Sequence, residues 1–164
     1  MTETPAADPE ALYAAPAKWV ASGAGAQGNL FLTGRAGTGK TTMLRKFLAA
    51  AGDKAVVLAP TGVAAMNAGG QTIHSFFKLP PRLVEPTDIK RLRSTRLIKA
   101  VETVVIDEIS MVRADMLDAI DRSLKLNRAS KRPFGGVRMI LSGDLHQLPP
   151  VVSGSEAPIL EQRY

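Results

Sequence analysis

Cysteine is absent from this 164-residue chain, which excludes disulfide-stapled scaffolds and zinc sites built on thiolates. No run reaches the roughly 18 consecutive apolar residues that a membrane-spanning helix needs, so no membrane partner is expected. The opening MTETPAADPE is acidic and broken by proline, without the basic-then-apolar order of a secretory leader. Acidic residues are missing from 122–138, which holds six basic ones, and 78–99 holds seven basic against two acidic. The net charge of +6 is therefore gathered into two segments while the remainder is net negative. Such clustering suits a polyanion partner as readily as it suits a solvated helix face. No internal repeat is visible. What remains fits one domain, because a chain of about 150 residues buries roughly 70% of its unfolded surface and can build a core without staples. The sequence reads as a soluble, intracellular protein.

Three stretches divide the chain: a leader over 1–27 with a short helix at 10–21, a main domain over 28–152, and a short tail over 153–164. Within the main domain, short β-branched apolar runs at 30–33, 55–59, 103–107 and 137–142 alternate with helical periods at 41–51, 61–68, 89–100 and 111–126. This alternation predicts an α/β fold with a parallel sheet buried on both faces. In 111–126, Val112, Met116, Ile120 and Leu124 recur at four, Asp118/Arg122 and Asp121/Lys125 form i,i+4 pairs, and Ser110 is placed as N-cap. Thr87 is placed to cap the basic helix over 89–100. Met66, Met111, Met116 and Met139 read as core filler.

Directly after the first strand come Gly34, Arg35, Ala36, Gly37, Thr38, Gly39, Lys40 and Thr41, the GxxxxGK[ST] phosphate loop in its strand-loop-helix context. Backbone N–H groups of Gly34, Ala36, Gly37, Thr38, Gly39, Lys40, Thr41 and Thr42 can face a polyphosphate there, aided by the positive end of the following helix. Lys40 adds a point charge between β- and γ-phosphates, and the Thr41 hydroxyl can ligate Mg²⁺. The strand over 103–107 ends in Asp107 and Glu108, which puts a carboxylate at the sheet edge where phosphates sit. Asp107 suits Mg²⁺ held through water, and Glu108 suits a base that orients the attacking water. A later strand runs into Gly143-Asp144-Leu145-His146-Gln147-Leu148-Pro149-Pro150. That segment is either a proline-stiffened loop or the place where Gln147 senses a γ-phosphate. After the second strand, Thr61, Gly62, His74, Ser75 and Phe77 could supply hydroxyls, amides and an aromatic face to single-stranded nucleic acid. Phe76 and Phe77 are adjacent, so at least one belongs to the core, and His74 alternatively serves only to hydrogen-bond a helix start.

The segments GRAGTGKTT, APTGVAAMNAGGQTIHSFF, VVIDEISMVRADMLDAID and GDLHQLPPVV make the chain resemble the petite-integration-frequency family of DNA helicases, superfamily-one motors related to RecD. The resemblance implies a RecA-like ATPase core whose last strand lies between the strands ending at Gly34 and Asp107. It implies ATP and Mg²⁺ as ligands, with Lys40, Glu108 and Gln147 in the chemistry, Thr41 and Asp107 at the metal, and Thr61, Gly62, His74, Phe77, Pro149 and Pro150 along single-stranded DNA. It further implies 5′→3′ translocation, a second RecA-like domain in cis beyond Tyr164, and a cytoplasmic setting, nucleoid-associated in a bacterium. Two departures stand out. The 10–21 region lacks the glutamine by which such proteins read adenine, and no arginine finger can be named within the chain. The expectation is a first motor domain that hydrolyses ATP poorly and does not unwind DNA by itself. The competing reading is a nucleotide-binding assembly or regulatory module.

Overall fold

The computed structural model describes residues 28–164 except Ala36 and Ser94; the expected helix over 10–21 lies outside them. Five parallel strands form one sheet: β1 (Leu30–Thr33), β2 (Ala55–Ala59), β3 (Gln71–Thr72), β4 (Thr103–Ile106) and β5 (Arg138–Gly143), in the order β1-β5-β4-β2-β3. The α/β, RecA-like expectation holds, and β5 lies between β1 and β4 as the resemblance implied. The helices are α1 (Lys40–Ala51), α2 (Gly62–Ala68), α3 (Ile73–Phe77), α4 (Arg96–Ala100), α5 (Ala114–Arg128) and α6 (Ala157–Arg163).

Strand periodicity sorts the core into two layers. Leu58, Val104, Ile106 and Met139 face α3, α4 and α5, where they meet Ile73, Phe76, Ile98, Ile120 and Leu124. Their alternates Val57, Val105 and Ile140 face α1 and α2 and meet Leu44, Phe47 and Ala68. All four residues of β4 are buried, as befits the middle of a sheet covered on both faces. Because every strand runs the same way, all C-terminal ends open on one edge, where the chemistry-bearing loops gather.

Three expectations need correction. The helix expected over 111–126 begins only at Ala114. Ser110 lies in a short 3₁₀ turn over Ile109–Met111, and Arg113, not Ser110, is the N-cap residue. The turn follows from Glu108, whose left-handed φ of 54° redirects the chain at the end of β4. Both expected i,i+4 ion pairs of this helix form, Arg122–Asp118 at 2.9 Å and Lys125–Asp121 at 2.6 Å. Second, the helix expected over 89–100 is reduced to α4. Asp88 closes a single 3₁₀ turn with Glu85 and pairs with Arg82, while Leu92 donates its N–H to Asn127 Oδ1 at 2.9 Å and is drawn across α5. Four cations, Lys90, Arg91, Arg93 and Arg96, would also have crowded two helical turns. Third, Met116 and Met139 fill the core, but Met111 is half-buried and Met66 is 82% exposed, so the core-filler reading fails at Met66.

Candidate functional site: a phosphate-loop cleft

The loop between β1 and α1 is shaped by its glycines. Gly39 sits at φ 86° immediately before the first helical residue, a left-handed conformation that most side chains resist, and so aims the start of α1 into the loop. Lys40 donates its ammonium back across the loop to the carbonyl oxygens of Gly34 and Arg35. Thr38 closes the same turn, its hydroxyl donating to Arg35 O at 2.8 Å. Thr41 and Thr42 open α1, both exposed. Ala36 is outside the described residues.

Beyond the loop lies a cleft of about 300 Å³ lined by Thr41, Thr61, Asn67, Asp107, Glu108, Ser110 and Gln147, with the apolar Val63, Met111 and Leu148 on its walls. The elements explain the gathering: Thr41 opens α1, Thr61 caps α2, Asp107 and Glu108 end β4, and Gln147 follows β5. Asp107 is buried and accepts the Glu108 N–H at 3.1 Å, which fixes the acidic pair as a unit. Burial, then the neighbouring Asp107 carboxylate, push the Glu108 carboxyl above its ordinary range; the Lys40 charge pulls the other way and Asp144 adds to the rise. A carboxylate held this way is a better proton acceptor than a solvated one.

Gln147 is anchored from behind. Its side-chain amide donates to Asp144 Oδ2 at 3.2 Å and its backbone N–H to Asp144 O at 3.0 Å. The Asp144 carboxyl, held below the usual range first by the His146 N–H and then by Gln147, stays an acceptor. This orienting role of Asp144 is legible in the sequence only as an acid three residues before a glutamine. Gly143 matters for a different reason: a Cβ there would stand 2.9 Å from Ile109 Cγ2 and 3.1 Å from Ile109 N, so the turn carrying Glu108 and Ser110 packs directly on bare backbone. Gly143→Ala should therefore displace that turn and destabilise the fold by about 1–3 kcal/mol, measurable as a lower urea midpoint.

A second groove, about 210 Å³, adjoins the cleft and shares Thr61 and Met111 with it; Pro60, Ile73, His74, Pro81, Arg113 and Val151 are among its other lining residues. Of the residues assigned to nucleic acid, Thr61 and His74 meet here. Thr61 also accepts the Ala64 N–H at 3.2 Å as N-cap of α2, and Gly62 is exposed beside it. His74 is half-buried, and burial followed by the Arg113 charge lowers its pKa, which favours the neutral ring. Pro149 is exposed and Pro150 half-buried, immediately before Val151. Phe77 lies apart from this groove: it is 3% exposed and packs edge-to-face on Phe76 at 4.8 Å, so both rings are part of the core. Sequence reasoning missed Arg113, which enters this groove from the start of α5.

Fold and cleft together define a RecA-like phosphate-loop domain. The PIF1-like helicase family model matches residues 14–163, and the chain belongs to that family. It is 41% identical over 133 residues to the ATP-dependent DNA helicase PIF1 of Candida albicans, covering 76% of this chain and 15% of that protein. It is 37% identical over 135 residues to the human ATP-dependent DNA helicase PIF1, covering 79% and 21%. Among solved structures, Bacteroides Pif1 bound to single-stranded DNA superposes with a TM-score of 0.79 at 42% identity, covering 90% of this chain and 36% of that one. Bacteroides Pif1 in complex with ADP-AlF₃ and single-stranded DNA gives 0.77 at 47% identity, covering 83% and 33%. The chain thus spans between about a seventh and a fifth of these two relatives' lengths.

Among the described residues no helix is long and apolar enough to cross a membrane.

Proposed function

We propose that this chain is the nucleotide-binding motor domain of an ATP-dependent 5′→3′ DNA helicase, taking Mg²⁺-ATP in the phosphate-loop cleft and single-stranded DNA in the adjoining groove. The observation that carries the reading is the convergence of Thr41, Asp107, Glu108 and Gln147 on one cleft whose wall, at Thr61, is also the wall of the second groove. Thr61 and Met111, which face both spaces, give a short route by which phosphate state and DNA grip can affect each other. The relatives' association with ADP-AlF₃ and single-stranded DNA supports both ligands.

In this mechanism the loop amides and the start of α1 receive the phosphates, and Lys40 leaves its two carbonyl acceptors for the β,γ-bridge region. Thr41 and Asp107 would hold the cation; a hydroxyl and a carboxylate, without nitrogen or sulfur, are the donors a hard divalent ion prefers. A cation held by these two residues would supply charge neutralisation at the phosphate oxygens. Glu108 accepts the proton of the attacking water, and the Gln147 amide, steadied by Asp144, hydrogen-bonds the γ-phosphate and reports its loss. A cytoplasmic setting belongs to the same proposal.

Fluorescence anisotropy with a labelled oligothymidylate tests it. Affinity should change at least about fivefold between the nucleotide-free chain and the chain with a non-hydrolysable ATP analogue and Mg²⁺, at both 50 and about 200 mM salt. Basic patches alone give steep salt dependence and no response to nucleotide. That nucleotide-blind outcome would favour an assembly or regulatory module instead.

A further inference from the structure

We propose that Ser142 is a positioning residue for Asp107: its buried hydroxyl, unpaired among the described residues, turns to donate to the Asp107 carboxylate when that carboxylate holds the nucleotide's divalent cation, and so fixes its orientation. The inference rests on the nucleotide reading of the cleft and adds to it a residue that neither the motif spacing nor the resemblance singles out.

Ser142 is wholly buried, and its Oγ has no hydrogen-bond partner among the described residues. An unpaired hydroxyl in a dry interior is costly, and an alanine would pack in the same space without that cost. Such groups call for a specific reason. Its place in the sheet supplies one. β4 and β5 pair in parallel with Val105 level with Ile140 and Ile106 level with Leu141, so the next step brings Asp107 level with Ser142. On the other side, Ser142 is level with Leu32 of β1, two residues before Gly34. Side chains alternate faces along a strand, and Val105 and Ile140 both belong to the layer beneath α1. Asp107 and Ser142 therefore leave the sheet on that same face, on adjacent strands about 4.8 Å apart, under the phosphate loop.

A serine hydroxyl is a donor and rotates freely, whereas an ionised carboxylate only accepts. Asp107 already takes the Glu108 N–H on Oδ1. A second donor from beneath would leave the carboxylate with one orientation relative to the cleft instead of a range. The neighbouring apolar Leu32 offers no competing side-chain partner. Ser142 acts through Asp107 and touches no reacting atom.

The test is equilibrium binding of a fluorescent ADP analogue while Mg²⁺ is titrated, which needs no turnover. In Ser142→Ala the Mg²⁺ concentration at half-effect should rise at least about fivefold, while binding in EDTA stays within twofold of the parent and the melting temperature of the nucleotide-free chain is unchanged or higher. In an Asp107→Asn background the same Ser142→Ala change should shift the Mg²⁺ half-point less than twofold, because the carboxylate it orients is gone. A half-point within twofold of the parent in the single variant, or equal shifts in both backgrounds, overturns the role. Should the parent chain show no Mg²⁺-dependent binding at all, the reading of the cleft falls and takes this inference with it. Normal parental binding with an unresponsive Ser142→Ala removes the inference alone.

Discussion

Lys40→Ala should abolish nucleotide retention, whereas Glu108→Gln should retain nucleotide and lose turnover. Lys40 belongs to the phosphate loop and Glu108 to the cleft beyond it, and the two act at different stages. Lys40 folds its ammonium back over the loop's own carbonyls, at Gly34 and Arg35. Removing the cation that would meet the phosphates should cost about 2–5 kcal/mol, a loss of roughly 30-fold or more in affinity. Glu108 is assigned to the chemical step, and a general base contributes about 10²–10⁴-fold to rate, which sets the expected loss in single-turnover hydrolysis. The pH profile gives a second signature. Because burial and Asp107 raise the Glu108 carboxyl, the acid limb of hydrolysis should lie above the ordinary glutamate range and vanish in Glu108→Gln. The sign for stability follows from the same shift. A carboxyl whose folded pKa is raised stabilises the fold below its unfolded value, and that contribution is lost as pH rises through the folded one. At neutral pH the amide should therefore be at least as stable as the ionised acid, so lost turnover cannot be charged to unfolding. Equal loss of binding in both variants would contradict the division of roles.

The edge of the sheet was legible from residues because phosphate chemistry constrains them tightly. A glycine turn, a lysine and a threonine after one strand, and two acids after another, leave few alternative placements once the strands are parallel. The structure accordingly brings Thr41, Asp107, Glu108 and Gln147 to one cleft. What was not legible depends on partners distant in sequence. Leu92 is pulled out of a helix by Asn127, thirty-five residues away, and Arg113 is fixed by Asp115 and by Glu156 beyond β5. The helical period over 89–100 carries no trace of the first, and the Ser110 signal none of the second. β3, two residues long at the sheet's edge beside β2, is too short for any periodicity. Phe77 illustrates the remaining difficulty: adjacent aromatics advertise both stacking and packing, and the T-shaped contact with Phe76 shows the packing.

The Arg113 network explains how that last part of the chain is tied down, and breaking it should cost more stability than any exposed ion pair in the molecule. Asp115 has a fully buried side chain, accepts the Val84 N–H at 2.9 Å, and binds Arg113 through Nε and Nη2, both at 2.9 Å. Arg113 in turn reaches Glu156 at 3.3 Å and the Arg82 carbonyl at 2.9 Å, while Glu156 accepts the Leu83 N–H at 3.0 Å. Three segments distant in sequence, 82–84, the start of α5 and 153–156, thus share one arginine, and that arginine also lines the groove beside His74. Asp115→Ala leaves a largely buried guanidinium without its main counter-charge and the Val84 amide without its acceptor. Severing a buried pair on one side costs about 3–5 kcal/mol, a large share of the 5–15 kcal/mol typical of a whole domain. Urea unfolding should show a much lower midpoint at a similar slope. Glu102→Gln is the comparison, since the Lys54–Glu102 pair has both side chains more than half exposed and should change stability by less than about 1 kcal/mol. Equal midpoints for the two variants would show that the buried network does not hold these segments, and the groove at Arg113 would then need some other support.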